Sequence, residues 1–146
     1  MNASEAGRWP AFFSYYDSPV KLVAGPDGQV VAYRLSKDTG GWYRADNLIN
    51  RLLYLDDDEI DRLTRDEFIS HTEVDRAYYL RGDGPVFALY ETVRAIQDLA
   101  DAERRPLTER EAALVAGLRR RTFVMFEEQL QQAGDPGADP SLAGEG

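Results

Sequence analysis

The stretch that decides the fold is residues 107–134, which read LTEREAALVAGLRRRTFVMFEEQLQQAG. Thr108 followed three residues later by Glu111 is the pattern of a capping box at a helix N-terminus, and Gly134 can take the left-handed conformation that ends a helix. At about 100° per residue, a set of mostly apolar side chains falls on one broad face. The set contains Leu107, Leu114, Val115, Leu118, Thr122, Met125, Phe126 and Leu130. We therefore predict a long helix at the centre of the core.

Three consecutive arginines, Arg119, Arg120 and Arg121, interrupt this helix. Successive helical positions point about 100° apart, so the three side chains do not form one basic patch. Only Arg119 points well inside the apolar face, where its charge needs an acceptor because an unpaired buried charge is very costly. Two interpretations stay open. Arg119 either forms a structural ion pair or snorkels to solvent, or it lines a pocket for an anionic ligand.

Length and composition are typical of one domain with an apolar core. The chain has 146 residues, 43% of them hydrophobic, and no cysteine, which excludes disulfides and thiolate metal sites. We find neither a basic and apolar leader nor a run of about 20 apolar residues. We therefore expect a soluble cytoplasmic protein with no membrane contact. Only Lys21 and Lys37 of the 17 basic residues are lysines, a bias that we interpret as a property of a GC-rich, bacterial genome.

The chain is acidic, and its charges are segregated. The formal net charge is −9. Residues 56–75 contain nine acids against two arginines, whereas residues 104–121 contain six arginines against two glutamates. The overall charge disfavours binding to the phosphate backbone of nucleic acid, even through the arginine-rich segment. It suits a basic protein partner, which the opposite charge would steer towards the acidic surface.

The first part of the chain is rich in aromatic and β-branched residues. Residues 1–8 have the composition of a loose arm, and the aromatic residues 9–16 are too apolar to remain in solvent, so we expect them to dock on the core or on a partner. Residues 19–36 predict a hairpin with an Asp-Gly turn, and residues 42–44 add a third short strand. The result is a three-stranded antiparallel meander, one edge of which can accept an extended peptide.

Helical patterns dominate from Asp46 onward. Asp46 can cap a helix that ends near Leu55, and the acids that follow can begin a short turn containing Ile60 and Leu63. Thr64 with Glu67 predicts a capping box for a helix that ends near residue 80. Pro85 suits the first turn of a helix that ends near residue 104. Residues 135–146 have the composition of a disordered tail.

The predicted fold class is therefore α+β. An N-terminal three-stranded antiparallel meander is followed by about four helices, and the long C-terminal helix is central. We expect residues 1–134 to form this single domain.

No stretch carries a specific motif for catalysis or for a cofactor. His71 is the only histidine, and Glu67 and Asp75 lie one helical turn to either side of it, as around a general base. The same geometry arises readily on a charged helix face. The acids of residues 56–61 fail the calcium-loop pattern because Ile60 and Asp61 occupy a ligand and the glycine position. We predict no catalytic residue, no metal site and no cofactor, although the sequence does not decide whether the protein is an enzyme.

Two sets of candidate binding residues remain. The set for a protein partner consists of the exposed acids and the tryptophans, namely Asp57, Asp58, Glu59, Trp9 and Trp42. The set for an anionic ligand consists of Arg76, Arg119, Tyr79 and Tyr90, because a guanidinium binds carboxylate or phosphate bidentately. The two arginines could equally join a buried network with an internal acid such as Glu111.

The leading functional hypothesis is an acidic, non-enzymatic interaction protein of the inhibitor, immunity or adaptor type that binds a basic protein. The alternative is a small-molecule pocket protein, or a small enzyme, whose buried arginines hold an anionic ligand.

Overall fold

A computed structural model of the protein describes residues 8–144. Most of the predicted N-terminal arm and the last two residues lie outside this range. The strands are β1 (Ala11–Tyr15), β2 (Ser18–Ala24), β3 (Val30–Leu35), β4 (Trp42–Arg44) and β5 (Ile60–Leu63). The helices are α1 (Ile49–Tyr54), α2 (Arg65–Tyr79), α3 (Pro85–Ala102), α4 (Glu109–Gln132) and α5 (Ser141–Gly144). This arrangement confirms the predicted α+β class.

The strands form one antiparallel sheet in the order β4-β3-β2-β1-β5. Strands β2, β3 and β4 are the predicted meander. Strand β1 comes from the aromatic residues that we expected to dock as an arm, and β5 replaces the predicted turn around Ile60 and Leu63. Phe12 and Phe13 point to opposite faces of a strand, and both are buried. An arm lying on one surface would bury only one of these two rings, whereas a strand in a sheet that is covered on both faces buries both.

Helices cover both faces of the sheet. One face packs against α2 and α4 through a cluster that includes Phe12, Tyr33, Leu35, Trp42, Phe68 and Phe123. The opposite face packs against α1 and the 3-10 turn before it, through Phe13, Val20, Leu22, Leu48 and Leu52. None of the helices among residues 8–144 is long and apolar enough to cross a membrane.

The predicted helix starts are correct in three cases and wrong in one, and Pro85 is the first residue of α3 as predicted. Thr64 with Glu67 and Thr108 with Glu111 form complete capping boxes at α2 and α4. Asp46 caps no helix. Its Oδ1 instead accepts a hydrogen bond of 2.9 Å from the backbone N–H of Ala32 in β3, so the chain enters α1 through the uncapped 3-10 turn Asp46–Leu48.

The C-terminal segment differs from the predicted disordered tail. Residues 135–144 fold back over the sheet, with Ala138 and Leu142 buried and α5 at the end. Gly137 makes this possible, because a Cβ at that position would lie 2.5 Å from the Cβ of Trp42. The glycine that made this segment look disordered thus allows its backbone to lie close to Trp42.

Helix α4 is the central helix, as predicted, but its buried face is displaced. The buried side chains are Val115, Thr122, Phe123, Phe126 and Glu127, whereas Leu114 is 51% exposed. The face is thus rotated towards Phe123 and away from Leu114. Helices α2 and α3 both pack against α4 but have few contacts with each other, which leaves a groove between them.

Candidate functional site

Strand β5 forms one outer edge of the sheet. Its inner side pairs with β1, and the N–H of Tyr16 extends this ladder by donating to the carbonyl of Glu59 at 3.0 Å. Because successive residues of a strand direct their backbone groups to opposite sides, Ile60 and Arg62 direct theirs outward. The N–H of Ile60 donates to the carbonyl of Asp57. The outward C=O of Ile60 and both groups of Arg62 have no strand partner within residues 8–144.

The loop before β5 surrounds this edge with negative charge. Asp58, Glu59 and Asp61 are exposed, and none has a cationic nitrogen within 4 Å among the described residues. Asp57 is partly buried, where its Oδ1 accepts from the N–H of Glu59 at 2.9 Å and its Oδ2 lies 4.0 Å from Arg51. The three exposed carboxylates are therefore available to a cationic partner. We call these three acids and strand β5 the acidic edge.

The two arginines next to these acids lie against aromatic side chains of β1 instead. The guanidinium carbon of Arg62 lies 5.1 Å from the ring centroid of Phe13, and that of Arg65 lies 5.6 Å from the ring centroid of Phe12. Arg65 also donates to the carbonyl of Leu142 at 3.2 Å. These cation–π contacts place the positive charges over the two faces of the sheet, so they form no ion pair with the acids of the edge.

The tryptophans of the predicted partner set lie elsewhere. Trp42 belongs to β4 at the opposite edge of the sheet and is only 7% exposed. Its indole N–H donates to both carboxylate oxygens of Glu127, at 3.0 and 3.1 Å. Trp9 precedes β1 and is half-buried against the cluster under α1. Trp42 is thus a core residue. Of the predicted partner set, only Asp57, Asp58 and Glu59 lie close together.

Arg76, from the predicted ligand set, belongs to a buried ion-pair network. Its side chain is enclosed, and its guanidinium lies 2.8 Å from Glu73 Oε2 and 2.5 Å from Glu127 Oε2. Its Nε donates to the carbonyl of Gly40 at 3.0 Å. A network was the interpretation left open beside a ligand cleft, but its acids are not the predicted Glu111. Glu111 instead pairs with Arg105 at 2.8 Å.

Glu127 connects this network to the sheet and to the C-terminal segment. Besides Arg76 and Trp42, it accepts from the N–H of Asp139 at 2.8 Å. Lys21 of β2 is also enclosed, donates to the carbonyl of Gly137 and lies with its ammonium 4.6 Å from the ring centroid of Trp42. Two basic and two acidic side chains thus lie together in the interior, and each of them has a hydrogen-bond partner.

Burial shifts the pKa values of several groups in this network. It raises the pKa of Glu73 and of Tyr90, and it lowers the pKa of Lys21. The negative charge of Glu73 raises the pKa of Tyr90 further, and the Tyr90 hydroxyl donates to Glu73 Oε1 at 2.8 Å. Tyr90 therefore stays protonated and serves as a fixed donor.

The remaining residues of the predicted ligand set are divided between two places. Arg119 and Tyr90 line a cavity of about 180 Å³ in the groove between α2 and α3, together with Glu73. Arg76 lies behind Glu73 in the network, and Tyr79 packs under Lys37, whose ammonium is 4.9 Å from its ring centroid. Arg119 and Arg76 therefore do not share one cleft.

His71 has a structural environment. Its Nε2 lies 3.1 Å from the backbone oxygen of Asp17 and 3.8 Å from a carboxylate oxygen of Asp75. Glu67 is committed to the cap of α2. Within residues 8–144 no group of three or more histidine, aspartate or glutamate side chains is placed to hold a metal ion.

The sequence did not reveal Glu127 and Lys21. Glu127 follows Phe123 by one helical turn, which places it at the margin of the buried face, but it lies in the polar run Glu127-Glu128-Gln129. The signal for Lys21 was its position between Val20 and Leu22 in a strand.

Comparison with known proteins gives no family assignment. No protein-family model matches the chain, and no curated protein and no solved structure matches it.

Proposed function

We propose that this protein is a non-enzymatic interaction module that binds a basic, extended segment of a partner protein along the acidic edge. The supporting observation is that an edge strand and three carboxylates occur together at β5, and that among residues 8–144 the outer side of this strand has no strand partner and the carboxylates have no cationic partner. The backbone provides attachment points, and the carboxylates select the charge of the partner.

The backbone of β5 can pair with a further strand. The outward N–H and C=O of Arg62 can exchange hydrogen bonds with one residue of a partner, as in other cases of strand addition to a sheet edge. The edge is only four residues long, which fits a short segment and limits self-association. The contacts of Arg62 with Phe13 and of Arg65 with Phe12 keep both guanidinium groups over rings of β1.

The carboxylates favour lysine or arginine in the partner. Asp58 and Glu59 precede the strand and Asp61 lies within it, so the negative charge extends along the edge. In a chain of net charge −9, this surface attracts a basic segment over a distance of about one Debye length. Binding should therefore weaken as salt concentration rises.

A selection from a random peptide library tests this proposal. The bait is the wild-type protein, and each selected peptide is titrated against the triple variant Asp58→Lys, Glu59→Lys, Asp61→Lys. The matched control carries the same change of charge away from the edge, at the exposed acids Asp98, Asp101 and Glu128.

The expected peptides carry lysine or arginine alternating with other residues. They should bind the edge variant at least about tenfold more weakly than wild type. Their affinity for the control variant should change much less. The proposal is wrong if the selected peptides bind the edge variant as tightly as they bind the wild type.

A further inference from the structure

The groove between α2 and α3 lies on elements other than the acidic edge. Both helices pack on α4 and have few contacts with each other, and Arg119 of α4 lies at the floor between them. The cavity of about 180 Å³ at this floor adjoins a cleft of about 710 Å³ near the α2–α3 loop. The two spaces share the lining residues Ala77, Tyr78, Tyr90 and Arg94.

The walls of the small cavity are largely apolar. Val74, Ala77 and Tyr78 come from α2, and Val93 comes from α3. Val74 and Tyr78 are exposed, Tyr78 to 70%, although both are large enough to contribute to a core. A concave apolar surface with a few polar groups is the usual form of a small-molecule site.

Arg119 has unused hydrogen-bonding capacity at the floor of this groove. A guanidinium carries five N–H donors, and residues 8–144 provide one acceptor, Ser70 Oγ at 3.3 Å. No carboxylate of the described chain lies within 4 Å of it. Arg119 is nevertheless half-buried. Because its charge is partly removed from water, an anionic partner would stabilise it.

The other arginines of the groove have partners. Arg94 pairs with Glu91 and also donates to the carbonyl of Ala77 at 3.3 Å. Arg81 donates to the carbonyls of Tyr78 and Leu80 at the end of α2. Arg119 therefore has the free donors that a ligand would use.

Glu73 restricts the charge of that ligand. It lines the same cavity, but its carboxylate is held by Arg76 and Tyr90 and does not reach Arg119. Its negative charge disfavours a dianion such as phosphate more than a monoanion, because like charges repel strongly in a site of low dielectric constant.

We propose that this groove binds a small organic acid, a monocarboxylate with one aromatic or comparably sized apolar group. The carboxylate is bound bidentately by Arg119, and the apolar group lies between Tyr78 and Val93. The site does not depend on the acidic edge, so either proposal can fail without the other.

The test is a titration of the ¹⁵N-labelled full chain followed by NMR. The probes are phenylacetate, its neutral analogue phenylacetamide, and inorganic phosphate. Phenylacetate should shift the amide signals of Val74, Ala77 and Val93. It should bind at least about tenfold more tightly than phenylacetamide or phosphate.

Two variants and a control identify the residues responsible. Arg119→Met should weaken phenylacetate binding by at least about tenfold, whereas Arg121→Met, which removes the same charge from an exposed position of α4, should leave it unchanged. If Arg119→Met does not fold, Ala77→Leu provides the same test, because it fills the cavity without changing charge and should weaken binding by a similar factor.

Three results would overturn the proposal. The first is the absence of shifts at the groove with phenylacetate at concentrations where the protein stays folded. The second is equal affinity for phenylacetate and phenylacetamide. The third is wild-type affinity in whichever of the two groove variants is folded.

Discussion

Arg76 and Glu127 lie 51 residues apart in the sequence and form an ion pair of 2.5 Å in which neither side chain is exposed to solvent. The pair joins α2 to α4, and Glu127 extends it to Trp42 of the sheet and to Asp139 of the C-terminal segment. Desolvation of two charges is offset only when their remaining hydrogen bonds are also made. We therefore expect this network to respond strongly to the loss of any one member.

Glu127→Gln tests the charge balance of the network. The amide keeps the shape of the carboxylate but leaves Arg76 and Lys21 opposite Glu73 alone. The free energy of unfolding should fall by about 3–5 kcal/mol, measured by urea denaturation. Glu128→Gln changes an exposed neighbour on the same helix and should stay within about 0.5 kcal/mol of wild type. Equal stability of the two variants would show that Glu127 carries no buried charge.

Gly137→Ala tests whether the C-terminal segment is docked. The added Cβ would lie 2.5 Å from the Cβ of Trp42 and 2.8 Å from a ring carbon of Tyr33, so the segment must shift. Thermal unfolding should show a loss of about 1–3 kcal/mol. Gly144→Ala is the control because nothing lies within 4 Å of the added atom. If Gly137→Ala is as stable as that control, residues 135–144 do not pack as described.

The pair formed by Glu111 and Arg105 predicts a dependence of stability on pH. Hydrogen bonds from Arg105, followed by the backbone N–H of Thr108, lower the pKa of Glu111 from 4.5 to about 2. The folded state thus binds this proton more weakly than the unfolded state, so the stabilisation is complete above pH 4.5 and is lost as the pH falls towards 2. Wild type should be more stable than Glu111→Gln near neutral pH, and the difference should vanish in this acidic range.

Urea titrations of both proteins between pH 7 and pH 2 measure this difference. Arg105→Met removes the largest cause of the pKa shift. In this background, the pH-dependent part of the stability difference between the proteins with and without Glu111→Gln should become small. A difference between wild type and Glu111→Gln that stays constant down to pH 2 would contradict the assigned pair.

Two substitutions of Arg62 can distinguish binding through the backbone of β5 from binding through the Arg62 side chain. Its N–H points away from β1, so Arg62→Pro should leave a folded protein but remove the donor that a partner strand needs. Affinity for a selected basic peptide should fall by about tenfold. Arg62→Ala keeps the N–H and should bind as wild type does. If Arg62→Ala and Arg62→Pro lose affinity equally, the side chain rather than the edge is responsible.

The parts of the fold that depend on local sequence could be predicted. The caps at Thr64 and Thr108 need residues only three positions apart, and the β2–β3 hairpin needs one turn. Strand β5 was missed because its partner β1 lies far away in the sequence, with Phe13 opposite Arg62, and because acids lie on both sides of its short apolar pattern. A pairing across 49 residues leaves no periodic signal in β5. Strand β1 also pairs locally with β2, but the turn between them places Tyr16 and Asp17 at positive φ and contains no glycine that would indicate a hairpin.

The buried ion-pair network and the docking of the C-terminal segment could not be predicted from the sequence, for a related reason. Arg76 was recognised as a charge on a buried stripe, but the sequence could not select Glu127 over Glu111, since that choice depends on how α4 is rotated against α2. The buried face of α4 is displaced towards Phe123, and this rotation places Glu127 inside. The C-terminal segment looked disordered because its glycine and prolines are common in flexible chains, whereas Gly137 is needed for contact with Trp42.

The most direct test of the proposed function is an NMR map of where a selected basic peptide binds. The ¹⁵N-labelled chain is titrated with the peptide, and the shifts of the backbone amides are followed. We predict that the largest shifts occur at Asp58, Glu59 and Ile60–Leu63 and decrease with added salt. Shifts confined to the α2–α3 groove or to residues 104–121, with none at β5, would contradict the proposal that the acidic edge is the partner-binding surface.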